Sequence, residues 1–400
     1  MDRRFGELSP PERLLMGPGP ANVEPRVLRA MALPVVGYFD PFLFEVMEDI
    51  KELLRYVFRT RNELTLPVSG TGSAGMEAII YNLVEKGDEV VVGVNGFFGA
   101  RMAEMVERAG GKAIGVRESL GKPIAAEAVE EALKNSNAKI VALVHGETST
   151  GVLQNLEKIS RIVKSYDALL VVDAVTTLGG CELEVDKLGI DACYSCSQKC
   201  LSCPPGLAPI TLNEQALAKI RERKSRVQSW YLDIGLIEKY WMGGERSYHH
   251  TPPVSMLYGL REGLRVVYEQ GIERRWEQHR INSEALVAGL EAMNLELLVE
   301  KEHRLPPLIA VKIPDGVKDQ AVRKQLISEY GIEIGGGLGE LKGRIWRIGV
   351  MGVNAREKNI IYLLSSLEKV LAAEGYGVKL GKACEAASIF YNSLVQKQTT

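Results

Sequence analysis

The sequence predicts an α/β protein: a mostly parallel central sheet with helices on both faces, followed by a small C-terminal α+β domain. Three observations predict it. Strand–helix units repeat from residue 64 to about residue 200, and parallel neighbours need such crossovers. Residues 89–94 form a continuous apolar run, as expected of a strand buried on both faces. The last 120 residues or so change to short strands and helices of a second unit. With 400 residues the chain exceeds one typical core. We divide it into an arm (1–22), a large domain (23–270) and a small domain (271–400).

Composition narrows the function. Hydrophobic residues make up 46% and charged residues 25%, as in ordinary globular proteins. The formal net charge is −2 and no long basic run occurs, which argues against nucleic-acid or membrane-surface partners. No apolar stretch has the length of a membrane span. Residues 1–10 are charged and lack a signal-like apolar stretch, and residues 396–400 match neither the reticulum nor the peroxisomal address. A cytoplasmic enzyme is the expectation.

Taken in order, residues 14–20 (LLMGPGP) hold too much Gly and Pro for a helix or central strand. An extended arm and a turn are predicted there. Phe44, Met47, Ile50, Leu54 and Val57 recur at helical spacing within 41–58. Residues 64–68 read as a strand that runs into Ser69-Gly70-Thr71-Gly72-Ser73-Ala74-Gly75, with a helix over 76–84. Strand, Gly/Ser/Thr loop and helix N-terminus form an anion cradle. The loop matches neither nucleotide fingerprint in full, which excludes a nicotinamide dehydrogenase reading and a triphosphate site. The same glycines also serve a tight turn, so the loop alone leaves both readings open.

The strand over 89–94 ends near Phe98, and a helix is predicted over 100–109. An aromatic at a strand's carboxyl end is placed to stack on a flat ligand or to fill the core. The strand over 140–144 ends in His145-Gly146-Glu147-Thr148, with His145 read as a structural histidine. A helix near 156–166 and a strand over 168–172 follow, and Asp173 ends that strand. A carboxylate there needs a strong partner or a cleft. A short strand over 192–195 leads to Lys199. A lysine among small and apolar residues is either a snorkelling surface group or an amine made nucleophilic by burial.

The cysteines admit a competing reading. Cys193, Cys196, Cys200 and Cys203 spell C-x2-C-x3-C-x2-C, a pattern with metal or redox potential. The three-residue gap is too short for a zinc ribbon, and cysteine also fills buried strands. No metal site is assigned.

A basic helix over 214–226 and a helix from 254 complete the large domain; Gly271 interrupts, and the helical pattern that resumes near 273 and runs to 298 opens the small one. Strands over 307–313 and 345–348 and helices over 317–330 and 356–373 build the small one. Arg347 interrupts an apolar strand. Its guanidinium is either paired within the domain or aimed at a cleft, where it suits a carboxylate.

Together, a Schiff-base lysine, a carboxylate, a phosphate cradle, a ring-stacking aromatic and a carboxylate-binding arginine are what pyridoxal 5'-phosphate (PLP) requires. The segments LLMGPGPANV, RNELTLPVSGTGSAGMEA, VGVNGFFGAR, HGETSTGVLQ, VVDAVTTLGG, YSCSQKCLSCPPG, SYHHTPPVSMLYGLRE and WRIGVMGVN resemble the class V aminotransferases of PLP fold type I, specifically the alanine–glyoxylate / serine–pyruvate aminotransferases. The resemblance spans about residues 14–373. It implies that Lys199 carries the cofactor as a Schiff base and moves the α-proton. It implies that Asp173 pairs with the ring nitrogen, Val175 and Phe98 cover the ring faces, and Thr148 reaches toward the ring hydroxyl. Phe98 stands where animal members carry tryptophan. Thr71, Gly72, Ser73 and Gln198 would form the phosphate cup, completed by Tyr248 and Thr251 of a neighbouring subunit in a homodimer with shared sites. Arg347 would take the α-carboxylate, with Gly19, Tyr38 and Gly337 near the substrate. The arm would wrap the partner. The implied reaction moves the amino group of alanine or serine to an oxo acid, glyoxylate or pyruvate, in a ping-pong cycle. A 3-hydroxykynurenine transaminase or β-lyase on the same scaffold is the alternative. Cys196 and Cys200 stand where the family has small residues, so oxidation sensitivity is a further expectation.

Overall fold

The computed structural model describes residues 6–242 and 246–398. A seven-stranded sheet organises the large domain: β1 (Leu64–Ser69), β2 (Glu89–Val94), β3 (Lys112–Arg117), β4 (Ile140–Val144), β5 (Leu169–Asp173), β6 (Ala192–Tyr194) and β7 (Leu207–Leu212). Their spatial order is β1-β7-β6-β5-β4-β2-β3. All neighbours pair in parallel except β7, which runs antiparallel to both β1 and β6. Val90 to Val92 and Leu170 to Val172 are fully buried, as a sheet covered on both faces demands.

The sequence reading passed over β3 and β7 for different reasons. β3 is an edge strand with a half-exposed, weakly apolar sequence. β7 follows a Pro-Pro-Gly turn and contains Pro209, which argues against a central strand. In the fold Pro209 faces Pro67 of β1. Gly70 N donates to Gly206 O, so bonded rungs alternate with this one, and neither proline is asked for a donor between β1 and β7; Pro209 O still accepts from Ser195 N of the loop after β6 at 2.8 Å.

The small domain has a three-stranded antiparallel sheet: β8 (Leu308–Lys312), β9 (Gly335–Gly336) and β10 (Ile345–Gly349), in the order β8-β10-β9. Helices Ile272–Ala292, Asp319–Glu329, Glu357–Ala373 and Lys382–Gln398 pack around it. The last of these lay outside the sequence reading. Its core joins Leu286, Leu290, Val311, Trp346, Leu364 and Leu367 to Met16 from the N-terminal arm. Leu14 and Leu15 pair in parallel with Ile332 and Glu333. This part of the arm thus lies along the chain's own small domain, because Met16 buries its side chain there. Residues 6–12 are exposed.

Two helices begin earlier than periodicity predicts. Gly72–Leu83 starts inside the Gly/Ser/Thr loop, and Phe97–Arg108 starts at the aromatic pair. Both carry cavity residues on their first turns. The basic helix is shorter than expected, ending at Arg221.

Candidate active site

The carboxyl ends of β2, β4, β5 and β6, with β10 of the small domain, surround a cavity of about 280 Å³. Gly19, Thr71, Gly72, Ser73, Phe98, Thr148, Asp173, Val175, Gln198, Lys199 and Arg347 all line it. Tyr248 and Thr251 do not. They lie on the surface, with Tyr248 53% exposed and packed against Tyr38, and their hydroxyls 3.1 Å apart. Tyr38 and Gly337 also fall outside the cavity lining, where Leu338 stands instead.

Lys199 sits on the turn after β6 and is only 7% exposed. Its Nζ donates to Thr176 Oγ1 at 3.0 Å and lies 5.8 Å from the Phe98 ring centroid. No carboxylate comes within ion-pair distance among the described residues. Burial therefore pulls its pKa down, against opposing attraction from Cys196 and Asp173. Gly19 permits this packing, since a Cβ there would press on the lysine stem at 3.1 Å.

The turn is fixed from below. Ser197 Oγ donates to Pro204 O at 2.6 Å, and Ala21 N donates to Gln198 O at 2.9 Å. The buried Arg275 donates from Nη2 to Cys200 O at 2.7 Å. Gly352 N donates to His279 Nε2 at 2.9 Å, so the His279 proton is on Nδ1, facing Arg275 O at 2.7 Å. Gly352 adopts φ +57, and a Cβ there would overlap Ser202 Oγ. Small-domain backbone and lysine turn are thus locked together.

Asp173 ends β5 and is 3% exposed. Its Oδ1 accepts from Val175 N at 2.8 Å and its Oδ2 from Tyr194 OH at 2.9 Å. Burial outweighs these bonds and raises it to about 6. Such a carboxylate calls for a cation, and the cavity has room for one to arrive with a ligand.

Phe98 is placed by Glu147, which sequence reasoning missed. Glu147 is fully buried. One oxygen accepts from Phe98 N and Gly99 N at 3.0 and 3.2 Å, and the other accepts from Ser149 N at 3.0 Å and Ser149 Oγ at 2.6 Å. It acts as the anion at the N-terminus of the helix Phe97–Arg108. The rule that flagged Asp173, a carboxylate closing a buried strand, applies to it as well. Arg101 and Thr176 line the cavity too, three residues beyond Phe98 and Asp173 respectively.

Arg347 on β10 donates from Nε to Gly336 O at 2.7 Å and from Nη1 to Thr148 O at 3.2 Å. Burial lowers it to about 10, so it stays charged at neutral pH. Its neutral partners leave that charge free for a ligand carboxylate.

Cys181, Cys193, Cys196, Cys200 and Cys203 are buried and unbridged. Cys196 Sγ faces Val175 O at 3.5 Å and Cys200 Sγ faces Thr176 O at 3.2 Å. Burial pushes Cys196 to about 11 and Cys200 to about 12. Enclosed, protonated thiols are weak nucleophiles, which argues against the oxidation expectation. His145 is buried, bonded through Nδ1 to Thr177 Oγ1 at 2.9 Å and outside this cavity, in keeping with a structural role.

Two predictions follow from these environments. Asp173 titrates at about 6 when folded against an ordinary 3.8. The folded, cofactor-free chain therefore binds more protons between these values, and stability falls as pH rises through that window, by about 3 kcal/mol. Asp173→Asn should remove this slope from denaturant midpoints measured between about pH 4 and 7; equal slopes in both proteins would contradict it. Glu147→Leu leaves four donors without an acceptor and should cost about 3 kcal/mol or more. Thermal melts check this, and an unchanged melting temperature would refute the role given to the carboxylate.

Comparison with known proteins places this arrangement. Residues 42–340 match the family Aminotransferase class-V. The chain is 41% identical over 405 residues to the (S)-ureidoglycine–glyoxylate transaminase of Bacillus subtilis, covering 97% of each chain. It is 41% identical over 367 residues to the alanine–glyoxylate aminotransferase of Callithrix jacchus, covering 91% of this chain and 89% of that one. The crystal structure of alanine–glyoxylate aminotransferase from Nostoc sp. superposes with a TM-score of 0.91 at 47% identity, over 92% of this chain and 98% of that one. The fold is that of the PLP-dependent fold type I enzymes, and the chain belongs to the class-V aminotransferases.

Proposed function

We propose that this protein is a PLP-dependent transaminase that moves the amino group of a small amino acid, alanine or serine, to glyoxylate. The observation that carries this reading is the convergence of Lys199, Asp173 and Arg347 on one small cavity, none of them neutralised by an ion pair among the described residues. The relatives support the acceptor, since glyoxylate appears in the names of both the alanine and the ureidoglycine enzymes.

The residues present fit the cofactor. Gln198 lines the cavity together with Thr71, Gly72 and Ser73, and its amide NH2 can donate to an anion. Gly72 leaves room that a Cβ would take from Val175 and Cys196, at 3.0 and 3.1 Å. Thr71, Gly72, Ser73 and Gln198 would hold the phosphate, Asp173 the ring nitrogen, Val175 and Phe98 the ring faces, and Thr148 the side of the ring hydroxyl. When bound, PLP supplies an aldehyde that takes up the amine and a protonated ring that accepts the electron pair of the breaking Cα–H bond.

The chain supplies the rest. Arg347 holds the α-carboxylate of the donor and later of the acceptor, which fixes Cα near Lys199. Lys199 Nζ, whose charged form burial disfavours, takes the proton from Cα and returns it on the other side of the exchange. Asp173 would face the ring nitrogen, where its carboxylate would be stabilised by a cation and would in turn stabilise it. The donor leaves as its oxo acid before the acceptor enters, and the same residues run in reverse.

Tyr248 and Thr251 are surface residues of this chain, away from its own cavity. That supports a homodimer in which they complete the neighbouring subunit's phosphate site. A second donor, (S)-ureidoglycine, is favoured by the end-to-end match to the Bacillus subtilis enzyme.

Lys199→Ala should abolish transamination and the visible absorbance of bound cofactor, while the fold persists. Retention of both would sink the reading. A panel of alanine, serine and (S)-ureidoglycine against glyoxylate should give its largest kcat/KM with alanine or serine; preference for ureidoglycine would select the second donor.

A further inference from the structure

Arg101 is the charged side chain of the cavity that the reading above leaves without a task. It sits one turn beyond Phe98 on the helix Phe97–Arg108. Its Nη1 donates to Ser73 Oγ at 3.2 Å. Its guanidinium lies 5.1 and 5.0 Å from the ring centroids of Phe97 and Phe98. No ion pair joins it to a carboxylate among the described residues.

Charge balance gives it a role. A phosphate monoester carries about −1.5 to −2 charges at neutral pH. The N-terminus of the helix Gly72–Leu83 offsets roughly half a charge. Thr71, Gly72, Ser73 and Gln198 are neutral, as are Tyr248 and Thr251. About 1 to 1.5 negative charges are left to be matched. Among the described residues the cavity holds three basic side chains, Arg101, Lys199 and Arg347. Lys199 serves the aldehyde and Arg347 the substrate carboxylate. Only Arg101 stands beside Ser73, and its planar fork suits phosphate oxygens.

We propose that Arg101 is a further cofactor-binding residue, pairing with the PLP phosphate while Phe97 and Phe98 hold its guanidinium in place. The proposal rests on the cavity being a PLP site. It makes the helix Phe97–Arg108 serve the cofactor twice, with Phe98 for the ring and Arg101 for the phosphate.

The test compares two ligands that differ only in the phosphate. Cofactor-free wild type, Arg101→Gln and Arg101→Lys are titrated with PLP and with pyridoxal, followed by visible absorbance and tryptophan quenching. Losing a charge-assisted bond to phosphate should weaken PLP by about 10- to 100-fold in Arg101→Gln. Pyridoxal should change by no more than about twofold, and Arg101→Lys should fall between for PLP. The pyridoxal arm also reports that the variant site is intact. Equal losses for both ligands would make Arg101 a packing residue for Phe98 and overturn the proposal. Unchanged PLP affinity with a raised KM for glyoxylate would make it a substrate ligand and overturn it as well. A wild type that takes up neither ligand overturns the cofactor reading, and this assignment with it.

Discussion

The structure depends on one constraint: an amine buried with no carboxylate among the described residues to pair with. Lys199 is desolvated, and its nearest partner is the neutral hydroxyl of Thr176. Removing a cation from water disfavours its charge, so the amine is held toward its nucleophilic form. Had Asp173 turned to Lys199, the pair would have restored the charge and silenced the amine. Asp173 is instead fixed by Val175 N and Tyr194 OH. The fold keeps base and acid in one cavity but out of contact.

That separation needs rigid support, and the support comes from two domains. The large sheet aims Asp173 and Phe98, and Glu147 converts a buried charge into a clamp on the ring-bearing helix. The small domain contributes Arg347 and, through His279 and Gly352, a brace for the turn that follows Lys199. Arg347 also donates to Thr148 O, one residue from Glu147. The groups that would grip cofactor and substrate therefore share a backbone segment, and a disturbance in one is expected to reach the other.

Much of this was legible in the sequence because the chemistry demands rare residue placements. A lysine amid small residues, a carboxylate ending an apolar strand and an arginine inside one all break the ordinary burial pattern. All three lie in the cavity. The glycine loop is there as well, although its helix begins four residues before periodicity shows it. What stayed hidden has physical causes. The strand at 207–212 was masked by Pro209, whose opposing proline cannot be seen in a linear pattern. Glu147 reads as a loop residue until its four donors assemble around it. Arg101 is an ordinary surface arginine until Ser73 arrives from another helix. Cys193, Cys196, Cys200 and Cys203, whose spacing admitted a metal reading beside packing, lie buried and unbridged.

The central claim is that the buried amine of Lys199 is the group that bonds the cofactor. Borohydride reduction of the PLP-loaded protein, followed by peptide mass mapping, tests it most directly. The account predicts one pyridoxyl-modified lysine per chain, at Lys199. Modification spread over exposed lysines, or none at Lys199, would contradict it.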